Sequence, residues 1–171
     1  MACKRTLISQ NSKYDKYITG AAPLNADEEA GRDIFFTEKG DCFHCHSVVT
    51  MTDNLFHNTG LDSIYTLDAD KGRYTTTYNI ADMGKFKTPN LRNVALRSRF
   101  MHDGRFSSLL EVINFYDHGV KHNGNLDPIM TKPGKENGLK LTELQKQQLI
   151  AFLNTLTDST FISNPAFRSP F

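Results

Sequence analysis

The motif Cys42-Phe43-His44-Cys45-His46 constrains this chain more than any other feature. Two thiols three positions apart, with a histidine directly after the second, form the attachment signature for c-type haem. One helical turn places both sulfurs along the same porphyrin edge, where they bond to the vinyl groups, and it directs the imidazole of His46 to the iron as the proximal ligand. The motif therefore predicts one haem held covalently by Cys42 and Cys45.

Two other chemistries use the same pair of cysteines. A zinc site would combine Cys42 and Cys45 with two histidines such as His44, His46 or His57. Structural zinc sites commonly present a second spaced pair of ligands, and such a pair is not evident in the sequence. A redox dithiol would also use this spacing, but the βαβ pattern that surrounds such dithiols is missing. Haem is therefore the favoured interpretation, with zinc or thiol chemistry as alternatives.

The composition excludes several other classes of function. A chain of 171 residues can form one compact domain with its own core. Its formal charge is only +1, which provides no strong field for nucleic acid or an anionic membrane surface. No apolar run approaches the ~20 residues that span a bilayer. Three cysteines are too few for a disulfide-stapled secreted domain, and the third, Cys3, is expected to be an inert helix-face residue.

Three helix starts are visible as capping patterns. In each, an N-cap side chain is followed three residues later by a side chain that can bond back to the cap: Asn25 with Glu28, Ser108 with Glu111, and Thr142 with Gln145. The first helix is predicted to run to Phe36 and to stop near Gly40. The second ends at Gly119 and carries an apolar face of Leu109, Val112, Ile113 and Tyr116. The last buries Leu149, Phe152, Leu153 and Leu156.

Long connections separate these helices. Residues 47–90 lack sustained periodicity and are predicted to form loops with one or two short helical turns. Such a stretch is unusual in a compact domain unless something other than the chain, such as a large apolar cofactor, packs against it. Residues 4–18 are expected to be the end of a helix followed by a polar turn. The predicted fold is all-α, a cytochrome c-like helical domain with long loops around a covalent haem.

The sequence KTPNLRNVALRSRFMHDGRFSSLLEVINFYDHG, residues 87–119, resembles the C-terminal haem domain of bacterial di-haem cytochrome c peroxidases and their MauG-like relatives. Residues 5–17, 42–46, 56–62 and 141–158 fit the same family. In these enzymes the N-terminal haem is where peroxide reacts, and the C-terminal haem feeds or stores electrons. With a single haem motif, this chain resembles the second domain alone.

The resemblance also implies an organisation and partners. Residues 1–22 would be an arm that ends an interdomain helix, and residues 23–160 the haem domain. Residues 161–171 are predicted, from their phenylalanines rather than from the resemblance, to form a tail that packs on a neighbouring surface. The implied partners are the missing N-terminal haem domain and a small redox protein. The implied location is the periplasm, with the export signal in the missing half. The isolated domain is expected to react only weakly with peroxide, and a free-standing mono-haem electron carrier is the alternative.

Several side chains acquire roles from the resemblance. The sixth iron ligand is a methionine in the peroxidases and a tyrosine in the MauG-like branch, and the matching residue here is Tyr116; Met101 is its rival. A tyrosine ligand would lower the reduction potential, whereas a thioether would raise it. Arg92 would pair with a haem propionate or else have a structural role. His57 and His102 are ambiguous between positions near the haem and structural positions.

Calcium is a further ligand of this family. The family often binds it between the two domains, through backbone carbonyls near residues 97–99. Arg97 and Arg99 occupy those positions in this chain, and with the other domain missing they count against a retained calcium site.

Overall fold

A computed structural model describes residues 7–67, 69–135 and 138–167, which form a mostly helical fold with long connections. The helices are α1 (Lys13–Ile18), α2 (Ala26–Phe35), α3 (Tyr74–Thr77), α4 (Leu109–Asn114), α5 (Glu143–Asn154) and α6 (Ser159–Ile162). Single 3-10 turns occupy Cys42–His44, Ile80–Asp82, Val94–Leu96, Pro128–Thr131 and Pro165–Phe167, and a π-helical segment, Phe115–Gly119, continues α4. Two short strands, β1 (Phe56–His57) and β2 (Phe86–Lys87), pair antiparallel. The helical fold class is confirmed, and the small sheet is an addition that the sequence did not predict.

All three predicted helix starts are confirmed. The side chains of Asn25, Ser108 and Thr142 each accept a hydrogen bond from the backbone N–H three residues later, and the side chain at that later position accepts from the cap's own N–H. These reciprocal bonds satisfy donors that a helix N-terminus otherwise leaves unpaired. The local sequence therefore determines where α2, α4 and α5 begin.

A fourth capping box corrects the prediction for the N-terminal segment. Residues 7–11 are irregular, and α1 begins at Lys13, where a polar turn was expected. The buried Ser12 hydroxyl accepts from the N–H of Asp15, and the Asp15 carboxylate accepts from the N–H of Ser12, so this pair starts a new helix. The preceding residues 4–6, and Cys3, lie outside the described residues.

The core forms where α2 crosses α5. Gly31 makes the close approach possible, because a Cβ at this position would lie 1.8 Å from the carbonyl oxygen of Gln148. The ring of Phe152 on α5 meets that of Phe35 at 5.1 Å and, edge-on, that of Tyr14 at 5.3 Å. Tyr14 belongs to α1 and is 1% exposed, so α1 packs into this core. Cys42 of the haem motif packs against the same core.

The long loops of residues 47–90 are confirmed, with the short helix α3 and one 3-10 turn inside them. Asn58 holds them together: its buried amide donates to the hydroxyl of Tyr65 at 3.1 Å and to the carbonyl of Met83 at 3.0 Å. These loops are thus ordered by side-chain hydrogen bonds rather than by regular structure.

The three-part division of the chain at residues 22 and 160 stays a prediction. At the C-terminal end, the rings of Phe161 and Phe167 contact each other at 5.1 Å between centroids, while residues 168–171 lie outside the described range. Within the described helices, none combines the length and the apolar character needed to cross a bilayer.

Candidate functional site

The Cys42–His46 turn begins directly after the chain folds back against the end of α2 at Gly40. A Cβ at Gly40 would lie 2.4 Å from the carbonyl oxygen of Ile34, so only glycine fits there. Asp41 then takes a left-handed conformation with φ 63°, and the 3-10 turn follows. The N–H of His46 donates to the carbonyl of Cys42 at 3.0 Å, which completes one compact turn across the motif.

The ring of His46 is prepared to bind a metal. Its Nδ1 lies 2.9 Å from the carbonyl oxygen of Met51, and because a carbonyl can only accept, Nδ1 carries the proton. Nε2 is therefore the nitrogen with a free lone pair. Burial lowers the pKa of His46, and this outweighs the hydrogen bond to Met51 and the charge of Asp53, which raise it. The imidazole is neutral at physiological pH, which is the form that ligates metals.

The two cysteines are free, half-buried thiols. Burial, together with nearby carboxylates such as Asp41, raises the pKa of both Cys42 and Cys45 to about 12. Catalytic dithiols have thiol pKa values lowered to ~3.5–7.5, so these two sulfurs lack the electrostatics of a redox dithiol.

A cavity of about 680 Å³ brings the predicted site residues together. Cys42, Cys45 and His46 line it, as do Tyr116 and Met101. Most of the remaining lining is aliphatic and aromatic, with Leu91, Val94, Leu109, Val112, Ile113, Leu149 and Leu153 among it. Cofactor pockets are typically ~300–1,000 Å³ and mostly apolar with a few placed polar groups, so this cavity fits a haem in size and in chemistry.

Tyr116 enters the cavity from the π-helical segment that follows α4. π-Helical turns inside α-helices are frequently found at functional sites, because the extra residue redirects a side chain. Burial raises the pKa of Tyr116, the sulfurs of Cys45 and Cys42 add to this, and a polar contact with Thr59 opposes it. The phenol therefore shares one environment with the two thiols, and its role as the distal ligand stays a prediction.

Met101 reaches the same cavity from the segment between the 3-10 turn Val94–Leu96 and α4. Its backbone has φ 67°, which is uncommon for a residue other than glycine. The structure therefore keeps both predicted distal residues, Tyr116 and Met101, at the cavity.

Arg92 is placed elsewhere. Its Nη1 donates to Asp15 at 2.7 Å and its Nη2 to the carbonyl of Val49 at 3.0 Å, and it is not among the cavity-lining residues. Burial by itself raises the pKa of Asp15, but the hydrogen bonds from Arg92 and Ser12 outweigh it and lower that pKa. These contacts favour the structural role of Arg92 over the pairing with a propionate.

His57 lines the cavity between two carboxylates. Its Nδ1 lies 2.6 Å from Asp127 and its Nε2 2.8 Å from Asp53. Burial lowers the pKa of His57, but the two carboxylates outweigh burial and raise it. Both ring nitrogens are thereby occupied. His102 also lines the cavity and stacks on Phe86 with ring centroids 3.6 Å apart.

The predicted zinc set does not assemble in the described ranges. Two groups of potential metal ligands occur there: Cys45 with Asp53 and His57, and Glu38 with Asp41 and His44. Neither contains both cysteines.

Sequence reasoning missed two features of the site. The Met51 carbonyl, which sets the His46 tautomer, has no sequence signal because it is a backbone atom brought close by a turn. Arg97 and Arg99 also line the cavity, although the resemblance pointed only to the backbone carbonyls near them. Both arginines lie within four residues of Met101, a candidate iron ligand, in the sequence. That closeness is a signal that could have indicated them.

A helical fold around an apolar cavity, with a Cys-x-x-Cys-His motif in its wall, defines the class of this protein as a cytochrome c-like haem domain. No family model matches the chain. The chain is 32% identical over 186 residues to cytochrome-c peroxidase IdrP1 of Pseudomonas sp. (strain SCT), covering 91% of the chain and 47% of that protein. It is 33% identical over 154 residues to the methylamine utilization protein MauG of Methylorubrum extorquens, covering 90% and 41%.

Solved structures agree with these relatives. A MauG-like protein associated with microbial copper homeostasis superposes with a TM-score of 0.82 at 37% identity, over 95% of this chain and 56% of that one. The diheme peroxidase BthA of Burkholderia thailandensis gives a TM-score of 0.71 at 25% identity, over 89% and 47%. The chain is thus homologous, over about nine-tenths of its length, to the di-haem cytochrome c peroxidases and MauG proteins, which confirms the predicted resemblance. It spans about half the length of the curated relatives it matches.

Proposed function

We propose that this chain is the electron-transfer haem domain of a di-haem cytochrome c peroxidase or MauG-like oxidase, equivalent to the C-terminal half of such a protein. One observation carries the proposal: Cys42, Cys45, His46 and Tyr116 line the same cavity of about 680 Å³. Relatives of roughly twice the length favour this role over that of a free-standing mono-haem carrier. The partners would be an N-terminal haem domain and a small redox protein, and the location would be the periplasm.

The residues of the turn would hold the cofactor. When bound, haem supplies one-electron redox chemistry, and the protein supplies attachment, orientation and electrostatics. Cys42 and Cys45 would form the two thioether bonds. His46 would ligate the iron through Nε2, and the hydrogen bond from Nδ1 to Met51 fixes its tautomer and would make it a more basic ligand.

Tyr116 would be the distal ligand. It lies on the same cavity as the thiols and comes from a π-helical segment, which gives it a position independent of the Cys42–His46 turn. A phenolate oxygen favours ferric iron, so this ligand would give the domain a low reduction potential. With both axial positions filled, the domain would relay electrons and would activate peroxide poorly.

Met101 is the second candidate for the distal position. It lines the same cavity, and its left-handed backbone conformation shows that the surrounding structure holds it in place at an energetic cost. A thioether ligand would raise the reduction potential rather than lower it.

Haem attachment is tested by expressing the full chain together with an export signal and the haem-attachment machinery. The mass of the purified protein should correspond to one covalently bound haem, and Cys42→Ala and Cys45→Ala should lower the yield of loaded protein. A bare-chain mass and the lack of a Soret band would overturn the proposal.

The distal ligand is tested on the same material with the matched pair Tyr116→Phe and Met101→Leu. We expect Tyr116→Phe to alter the ferric spectrum and raise the midpoint potential, and Met101→Leu to leave both unchanged. A sulfur-to-iron band in the ferric wild type that is lost in Met101→Leu would assign the ligand to Met101 instead. Rapid peroxide turnover by the loaded domain would contradict the electron-transfer role.

A further inference from the structure

Two arginines at the cavity differ from every other arginine in the described ranges. The other four each pair with a carboxylate: Arg32 with Asp33, Arg73 with Asp82, Arg92 with Asp15, and Arg105 with Asp62. Arg97 and Arg99 line the cavity, are exposed, and make neither an ion pair nor a side-chain hydrogen bond with any described residue. Their guanidinium groups are therefore free to bind an anion at the cavity.

The other charged side chains at the cavity, histidines aside, already have partners. Lys87 donates to the amide oxygen of Asn54, and Lys135 forms an ion pair with Asp41. The Asp62 carboxylate is bound by Arg105. Lys87 keeps its charge because an amide oxygen is neutral, but Asn54 holds its ammonium group. Histidines aside, Arg97 and Arg99 are therefore the cationic side chains at the cavity that no described residue holds.

The segment that carries these arginines is held in place. The N–H of Arg97 donates to the carbonyl of Val94 at 3.1 Å, and the N–H of the buried Phe100 donates to the carbonyl of Phe106 at 2.9 Å. The stem of Arg99 runs past Gly104, where the position of an added Cβ would be 3.5 Å from the Arg99 Cβ. The backbone on both sides of the two arginines is therefore anchored to neighbouring segments.

We propose that Arg97 and Arg99 bind the propionate carboxylates of the haem. This inference rests on the proposed function. In haem, the two propionates lie on the porphyrin edge opposite the vinyl groups, and the vinyl groups are the ones that Cys42 and Cys45 would bond. Arginine suits this task because its planar guanidinium matches a carboxylate with two parallel hydrogen bonds. The propionate-binding role, one of the two alternatives that the resemblance left open for Arg92, thus falls to Arg97 and Arg99.

The experiment uses the haem-loaded full chain with Arg97→Gln and Arg99→Gln, and Arg73→Gln as the matched control, because Arg73 pairs with Asp82 away from the cavity lining. The propionate bending band in resonance Raman spectra reports hydrogen bonds to the carboxylates directly. We expect this band to move to lower frequency in both cavity variants and to stay in place in the control. The midpoint potential should become more negative, since uncompensated propionate charge favours ferric iron.

Charge-conserving variants separate binding from folding. Arg97→Lys and Arg99→Lys should keep the midpoint potential closer to that of the wild type than the Gln variants do. If haem is attached and the Gln variants have the wild-type Raman band and potential, this inference is overturned while the proposed function stands. A bare-chain mass for the wild type overturns the proposed function and, with it, this inference.

Discussion

Asp158 joins three segments of the chain and is buried, with 1% of its surface exposed. Oδ2 accepts hydrogen bonds from the hydroxyl of Ser9 and the N–H of Asn11, and Oδ1 accepts from the hydroxyl of Thr160 and the N–H of Phe161, at 2.6–3.1 Å. Its own N–H donates to the Asn93 side chain at 2.7 Å, just before the segment that leads to Arg97 and Arg99.

The pKa of Asp158 gives the size of the effect. Burial raises this pKa, but the four hydrogen bonds outweigh burial and lower it from 3.8 to about 2. Since one unit of pKa is worth ~1.4 kcal/mol, the ionised carboxylate stabilises the fold by about 2–3 kcal/mol. Because the folded-state pKa is the lower one, this contribution is complete above the unfolded-state pKa and is lost as the pH falls from about 4 through about 2.

Asp158→Asn is the matching perturbation, because it keeps the shape and removes the charge. Denaturant unfolding near pH 7 should show a loss of about 2–3 kcal/mol relative to the wild type, and the gap should narrow steadily below about pH 4. Asp33→Asn, which affects an exposed pair with Arg32, is the control and should cost ~0–1 kcal/mol. A gap of constant size from pH 7 to acid, or no gap at pH 7, would refute the argument.

Two further substitutions test the packing around the site. Gly31→Ala should lower the free energy of unfolding by at least ~1–3 kcal/mol, because the new Cβ would overlap the Gln148 carbonyl, whereas Gly124→Ala meets nothing within 4 Å and should change it little. Equal effects of the two, measured by urea unfolding, would contradict the α2–α5 contact. Lys146→Met should lower the free energy of unfolding at neutral pH, since it leaves the buried Asp117 carboxylate without its 3.1 Å ion pair. A smaller loss at acid pH, where Asp117 is protonated, is the expected signature, and a loss independent of pH would count against it.

The helix starts were predictable because capping boxes are local. A cap and its partner three residues later bond only to each other's backbone, so Asn25 and Thr142 identify their helices without knowledge of the rest of the fold. The same physics starts α1 at Ser12, and there the signal was present but not recognised. By contrast, β1 and β2 are two residues each and lie about thirty residues apart, so no local pattern indicates their pairing.

The roles of Arg92 and Arg97, by contrast, depend on contacts between residues that are far apart in the sequence. Choosing between Arg92 and Arg97 as the residue near the haem requires knowing where Asp15 lies, because Asp15 is what draws Arg92 away from the cavity. These two partners are far apart in the sequence, and their contact depends on α1 packing into the core through Tyr14. A helix predicted to end early could not have supplied that contact. The wrong prediction at the N-terminus and the two alternatives left open for Arg92 therefore have one cause.

The two sides of the candidate haem site differ in the same way. On the proximal side, everything lies within ten residues: both thiols, His46 and the Met51 carbonyl that orients it. The thiols and His46 can be recognised from sequence because one turn builds their geometry, whereas the nearby Met51 carbonyl has no sequence signal of its own. On the distal side, Tyr116 and Met101 come from separate segments that are each held by their own contacts. Their relative reach toward the iron depends on tertiary packing, so the sequence leaves two candidates where the turn leaves one, and a spectrum of the loaded protein distinguishes them.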